Sequence, residues 1–301
     1  MKDKIRAFLF PVTDARPIAA LRIILGVMMM IETFQIWDSI EDLYGPYGFL
    51  EASLMNAISG MSAPSFAVLF EAQGWDYSNF LTIVFWIRWF VLVTFTIGLF
   101  TRTSTIFLWL MQSFIMFSGT LSSYGIDRYF HNFLFLLVFM PAGQCISVDA
   151  WLSKKKEIAS STTGFALRVL QFMLLITYFN AGVAKIFGTE WWDGNAIWRV
   201  LHLPEFSHAS FYWMAQVPWF PRLMGWGTLL IETFYVVGVW FPVIGPLWTL
   251  GIISMHIGIA GLMGLVNFGI TLALVNAALF FIGGARASLR NHESPRRREA
   301  P

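Results

Sequence analysis

The stretch that decides the fold class is Phe165–Ile186, FALRVLQFMLLITYFNAGVAKI. A helix needs roughly 17–25 mostly apolar residues to cross the hydrocarbon of a bilayer, and this run supplies them. Gln171, Tyr178 and Lys185 recur in it at intervals of seven, so they fall on one face as a polar stripe. Gly182, one turn before the lysine, leaves room for another group to approach closely.

Runs of the same kind occupy Pro17–Trp37, Phe80–Phe100, Thr103–Leu121, Leu223–Trp240, Val243–Ala260 and Gly264–Ile282, with a shorter one at Phe130–Ser147 that Pro141 and Gly143 should bend or break. Together they predict about eight crossings. Between them, Ile197–Phe220 is aromatic but punctuated by Pro204, Pro218 and Pro221, which predicts a partly helical cap in the outer interface. Composition agrees. The chain of 301 residues is 57% hydrophobic and 13% charged, with 14 Trp and 30 Phe. Soluble domains run near 45–50% apolar and about 25% charged. Lipid must therefore cover much of the surface, and disorder, collagen and coiled coil are excluded. The reading is an all-α, polytopic helical transmembrane bundle of the cell membrane, with the bilayer as its first partner.

Cys145 is the single cysteine, so an intrachain disulfide and a cysteine metal cluster are ruled out. The five His are scattered along the chain, and no metal is expected. A net charge of +2 gives no basic face for nucleic acid. No glycine-rich phosphate loop, HExxH or nucleophile elbow occurs. Met1–Arg6 is basic, but Ala7–Phe10 stops at Pro11, too soon for a cleavable signal. Residues 1–16 are expected to form a cytoplasmic interfacial segment.

Lys and Arg placement orients the chain. Lys2, Lys4, Arg6, Arg102, Lys154–Lys156 and the run from Arg286 to Arg298 fall on one side. The Asp38–Asn79 loop holds six acidic residues (Asp38, Glu41, Asp42, Glu51, Glu71, Asp76) and no Lys or Arg. The positive-inside rule then sets both termini in the cytoplasm and that loop outside. One membrane domain is expected over residues 17–282, followed by a basic, disordered tail over 283–301.

Ionisable and amide groups at membrane depth are costly enough to be candidate functional residues. Glu32, Arg88, Glu232, His256 and Asn267 map to the outer half of their runs or near the middle. His131 and Asn132 open the short run one turn after Asp127 and Arg128, and Asn180 and Lys185 close Phe165–Ile186. Their convergence suggests a cavity open to the exterior. Each also has a plainer role: Lys185 can snorkel to the headgroups, Glu32, Arg88 and Glu232 can fix packing, and Trp191 and Trp192 can anchor the interface.

At Tyr178-Phe-Asn-Ala-Gly-Val-Ala-Lys185-Ile-Phe, followed by Trp191-Trp192-Asp-Gly, the chain resembles the vitamin K-dependent gamma-carboxylase superfamily in its bacterial form, the horizontally transferred transmembrane (HTTM) domain. Arg128-Tyr-Phe-His131-Asn132, Pro141, Asp149-Ala-Trp151, Leu230-Ile-Glu232, His256 and Asn267-Phe268 support the resemblance from about residue 14 to 282. It implies that Lys185 is the base that deprotonates a reduced naphthoquinone. Oxygenation to an alkoxide and epoxide then generates the strong base that opens a glutamate γ-carbon to carbon dioxide. His131 stands at the family histidine, with Phe133 and Leu134 departing from its usual polar continuation. Ala184 stands where the animal enzyme has a second lysine. A lysine in an apolar pocket has its charged form disfavoured, which suits a neutral base.

Two readings follow. The first is a quinol-dependent carboxylase or epoxidase-like enzyme taking reduced vitamin K or menaquinol. Its catalytic residues are Lys185 and His131, and its pocket holds Tyr178, Asn180, Asn132, Arg128, Glu32, Arg88, Glu232 and His256, acting on a peptide or small molecule. The alternative is a non-catalytic membrane component of peptide maturation or export. Oligomeric state is not legible.

Overall fold

A backbone in hydrocarbon has only itself to bond to, so a spanning chain without a closed barrel must be helical. The computed structural model describes residues 2–45, 66, 76–119, 123–154, 159–206 and 209–282, and apart from one bridge between Thr13 and Ser160 its described regular structure is helical. The helices are α1 (Lys2–Leu9), α2 (Arg16–Gln35), α3 (Ile40–Tyr44), α4 (Tyr77–Ile97), α5 (Thr101–Ser118), α6 (Gly125–Val138), α7 (Val148–Ser153), α8 (Ser161–Ile186), α9 (Thr189–Asp193), α10 (Asn195–His202), α11 (Trp219–Gly238), α12 (Ile244–Met263) and α13 (Val266–Asn276), which continues as a π-helical turn over Ala277–Ile282. The architecture is all-α and polytopic.

Among the described residues, four segments are long and apolar enough to cross a membrane: Arg16–Gln35, Asn79–Ile97, Ser161–Ile186 and Ile244–Met263. Val266–Ile282 is apolar but shorter. The sequence expectation of about eight crossings is thus met at the level of a multi-pass protein, with four clear spans rather than eight. α6 is short because Pro141 and Gly143 follow it, as expected, and the cap over 197–220 is one helix, α10, and one 3₁₀ turn, Tyr212–Gln216. The tail over 283–301 and most of the Asp38–Asn79 loop lie outside the described residues.

The chain forms two compact units, residues 1–17 with 159–301, and residues 18–158. In the second, a break in the helical backbone is repaired by side chains. Pro141 ends α6, and the peptides that follow are not helical. Arg22, fully buried, donates from Nη1 to Ala142 O at 2.6 Å and from Nη2 to Ile146 O. Ser147 Oγ donates to Gly143 O at 2.6 Å. Irregular backbone at depth is tolerated when protein supplies its partners in this way. Gly98 ends α4 in the left-handed region at φ 72°, and a Cβ there would sit 2.4 Å from Ser147 Cβ and 2.7 Å from Arg22 Nη1. Only glycine fits both demands.

Asp149, in α7, caps the start of α5. Its carboxylate accepts from Phe100 N at 2.8 Å, Thr101 N at 2.7 Å and Thr101 Oγ1 at 2.7 Å. Burial pushes this carboxyl up, but those bonds and the Arg22 charge outweigh it and hold it below the usual carboxylate range. A carboxylate at a helix N-terminus meets unpaired N–H groups and the positive end of the dipole. Because the folded form binds its proton more weakly than the unfolded form, its stabilisation is complete above the usual Asp range and disappears as pH falls through the lowered value. Asp149→Ala should cost about 1–3 kcal/mol at neutral pH. The difference between variant and native thermal midpoints should shrink on acidification to around pH 3. A difference that grows on acidification would contradict the cap.

In the first unit, α8 starts at Ser160, whose Oγ accepts from Thr163 N at 3.1 Å. Gly164 lets the backbone of Pro11 lie against α8, since a Cβ there would be 1.6 Å from Pro11 O. Arg168 Nε donates to Phe8 O at 3.0 Å, and its guanidinium stacks on Phe8 and Trp240, 4.7 and 4.6 Å from the ring centroids. These contacts pack α1 on α8.

Candidate functional site

The polar stripe of α8 faces inward. Gln171 Nε2 donates to Leu279 O at 2.8 Å, Tyr178 Oη lies 2.7 Å from His256 Nε2, and Lys185 Nζ lies 2.6 Å from Glu232 Oε2. The seven-residue spacing therefore marks one face of the helix. Gly182 makes the close approach possible, because a Cβ there would lie 2.5 Å from Thr233 Oγ1 and 2.7 Å from Thr233 N. With α11 so near, Glu232, the residue beside Thr233, reaches the lysine from the facing helix.

Lys185 has two neighbours of different kind. On one side stands the Glu232 carboxylate; on the other the Trp191 indole, 5.2 Å from Nζ to the ring centroid. The side chains are 22% and 9% exposed, so the pair is sheltered but reachable at the lysine end. The sequence suggested an apolar pocket for Lys185, whereas its surroundings are a carboxylate and an aromatic face. Trp191 and Trp192 also do more than anchor. Trp192 Nε1 donates to Ile186 O and Trp226 Nε1 to Trp192 O, both at 2.9 Å, which ties α9 to the end of α8 and to α11. Gly194, at φ 85°, admits Arg222 N to 2.7 Å of where a Cβ would stand.

The same unit holds a buried polar chain of which the sequence reading named Tyr178 and His256 but not Asn276, Tyr235 or Thr249. Asn276 Nδ2 donates to Tyr178 Oη and to Leu272 O, each at 2.8 Å, and Tyr235 Oη donates to Asn276 Oδ1 at 3.1 Å. Tyr235 Oη also lies 3.3 Å from Thr249 Oγ1. His256 Nδ1 and Thr233 Oγ1 are buried without a hydrogen-bond partner. The one available signal was Asn276 itself, an amide inside an apolar run.

The other unit holds its own cluster. Arg88, 2% exposed, donates from Nε to Thr33 Oγ1 at 3.0 Å, and Thr33 Oγ1 donates to Met29 O at 2.7 Å. Glu32, Tyr44 and Asp127 are the electrostatic neighbours of Arg88. Gln112 Nε2 donates to Asp127 Oδ1 at 3.1 Å. Arg88 and Glu232 are thus buried, with Glu32 half-buried beside Arg88. His131 corrects a boundary: it sits mid-helix in α6 rather than opening it, as does Asn132. The helix starts earlier because Asp127 Oδ2 accepts from Tyr124 N at 2.9 Å and caps it. His131 Nε2 lies 3.0 Å from Ser113 Oγ, whose proton goes to Trp109 O at 2.9 Å, so Nε2 is the donor. Arg128 and Asn132 are exposed, and Asn180 is exposed on α8 away from the stripe. Lys185 and His131 belong to different units, and each is described with its own partners. Among the described residues, no group of three or more His, Cys, Asp or Glu is placed to hold a metal ion.

Long apolar helices whose charged groups turn inward define a multi-pass membrane-embedded protein. The chain belongs to the HTTM domain family, whose model matches residues 10–282. It is similar to the uncharacterized protein YitO of Bacillus subtilis (strain 168), at 26% identity over 126 residues, 40% of each chain. The match thus spans less than half the length of that relative. No solved structure matches the chain significantly.

Proposed function

We propose that the protein is a membrane enzyme that uses a reduced quinone, of the vitamin K or menaquinol type, to drive carboxylation or another modification of a peptide or small molecule. The observation that supports it is the 2.6 Å contact of Lys185 with Glu232, at the lysine that the gamma-carboxylase resemblance singles out. The residues suit such a ring: His256 Nδ1 and Thr233 Oγ1 are unpaired buried polar atoms on the helices facing α8, and Trp191, Tyr178 and Phe268 bring aromatic surface. When bound, a reduced quinone supplies the electrons for oxygen and the acidic ring hydroxyl. Lys185 takes that hydroxyl proton at Nζ. To be free for it, Nζ first passes its own proton to Glu232 Oε2, 2.6 Å away. The Trp191 ring, 5.2 Å from Nζ at its centroid, flanks the amine through this exchange. Roles for His131, Arg128, Asn132, Asn180, Glu32 and Arg88 rest on the resemblance and on sequence position. Purified protein given menaquinol and oxygen should form the quinone epoxide. Folded protein that forms none supports the alternative, a non-catalytic component of peptide maturation or export.

The same reading counts about eight crossings, taking α5, α6, α11 and α13 as spans alongside the four clear ones, with both termini cytoplasmic. In a Cys145→Ser background, Asp42→Cys should react with an impermeant thiol reagent on intact cells. Lys154→Cys should react only after permeabilisation. Labelling of both from one side would refute this topology.

A further inference from the structure

Four buried side chains of the first unit, Tyr235, Asn276, Tyr178 and His256, are joined by three hydrogen bonds in one string. The carbonyl of Leu272 can only accept, so the Asn276 atom facing it is Nδ2, and that nitrogen also donates to Tyr178 Oη. The amide oxygen is then left to accept from Tyr235 Oη. Tyr178, already receiving one bond, has its own proton for His256 Nε2 at 2.7 Å. Donation by Tyr178 in this same direction makes Nε2 the acceptor and puts the proton of the neutral ring on Nδ1. His256 is 2% exposed, and Nδ1 has no hydrogen-bond partner. The string from Tyr235 through Asn276 and Tyr178 ends on a donor with nothing to receive it.

An unsatisfied buried N–H is costly and calls for a reason. Here the location offers one. The ring lies 5.7 Å from Tyr178 and 5.6 Å from Phe268, centroid to centroid, and the charge of Lys185 is felt at it. Tyr178 and Lys185 share one face of α8, with Gly182 between them and the unpaired Thr233 Oγ1 against Gly182. A single N–H on a neutral ring, walled by aromatic groups, matches a neutral acceptor oxygen on a flat ring.

We propose that His256 binds the ligand, its Nδ1–H donating to a carbonyl or phenolic oxygen of a quinol-type ring, and that Tyr178 and Asn276 are positioning residues that fix the tautomer presenting that proton. This rests on the quinol reading of Lys185. The string gives the unit a preorganised donor, since the ring cannot rotate or change tautomer without breaking the bond from Tyr178.

The probe is 2-methyl-1,4-naphthoquinone, titrated into the purified protein in lipid nanodiscs, with tryptophan fluorescence and the infrared carbonyl stretch as readouts. Native protein should bind it with one carbonyl stretch lowered. His256→Asn, whose amide nitrogen overlays Nδ1, should keep affinity within about threefold and keep the lowered stretch. His256→Gln, whose amide overlays Nε2, should lose about tenfold in affinity and the lowered stretch. If His256→Gln binds as native with the stretch unchanged, this proposal falls while the quinol reading stands. If native protein does not bind the quinone, the quinol reading falls and takes this proposal with it. A ligand-free check avoids the variants: nitrogen resonances of labelled histidine should show His256 protonated at Nδ1, and Tyr178→Phe should mix the tautomers. A native ring protonated at Nε2 overturns the assignment.

Discussion

Lys185→Ala is expected to abolish quinol-dependent turnover, and Lys185→Arg to abolish it as well. A guanidinium stays protonated at any accessible pH, so it can pair with Glu232 but cannot accept a proton. The arginine variant therefore separates charge from basicity. Retained activity in Lys185→Arg would reduce Lys185 to a positive charge beside Glu232, and the enzyme reading would lose its centre. The contact also sets a stability cost. Alanine leaves the Glu232 carboxylate, 9% exposed, without its partner. Removing one member of a buried pair costs about 3–5 kcal/mol, and the partial exposure of the lysine places this case toward the lower figure. Pairing Lys185→Ala with Glu232→Gln should return most of that stability and none of the activity. Epoxide formation from menaquinol and thermal unfolding in detergent, measured on the same preparations, test both halves.

Arg22→Leu is expected to be the most destabilising single change in the other unit, by about 3–5 kcal/mol. Leucine fills much of the buried volume but donates nothing. The carbonyls of Ala142 and Ile146, in the irregular stretch after Pro141, then lose their donors, the first of them in a buried site. Thr96 O, 3.5 Å from Nη2, loses a weaker contact. Arg22→Lys should recover little, because one ammonium cannot span carbonyls that the guanidinium fork reaches together. A thermal midpoint of Arg22→Leu equal to that of the native protein would show that the break is held by other groups.

The sequence alone determined the class. Hydropathy and span length are local quantities, so Phe165–Ile186 reads as a membrane helix whatever packs against it, and α8 runs over Ser161–Ile186. The seven-residue recurrence of Gln171, Tyr178 and Lys185 likewise reported a face, because helical period is a property of the backbone. The break after α6 was legible in Pro141 for the same reason. The motif around Lys185 placed the chain in its family.

What only the tertiary structure decided is which faces meet. Glu232 stands 47 positions from Lys185, and nothing local says that α11 brings its carboxylate to that amine. Asp149 caps a helix that starts 48 positions earlier, and Asn276 reaches Tyr178 across 98. The start of α6 was misjudged because the capping bond from Tyr124 to Asp127 stabilises a first turn that hydropathy, weighing only apolar content, leaves out. The contacts of Glu232, Asp149 and Asn276 join groups whose separation along the chain carries no information about their separation in space. Lipid fixes that a segment crosses; complementarity between helices, at glycines such as Gly182 and at ion pairs such as Lys185–Glu232, fixes what it faces.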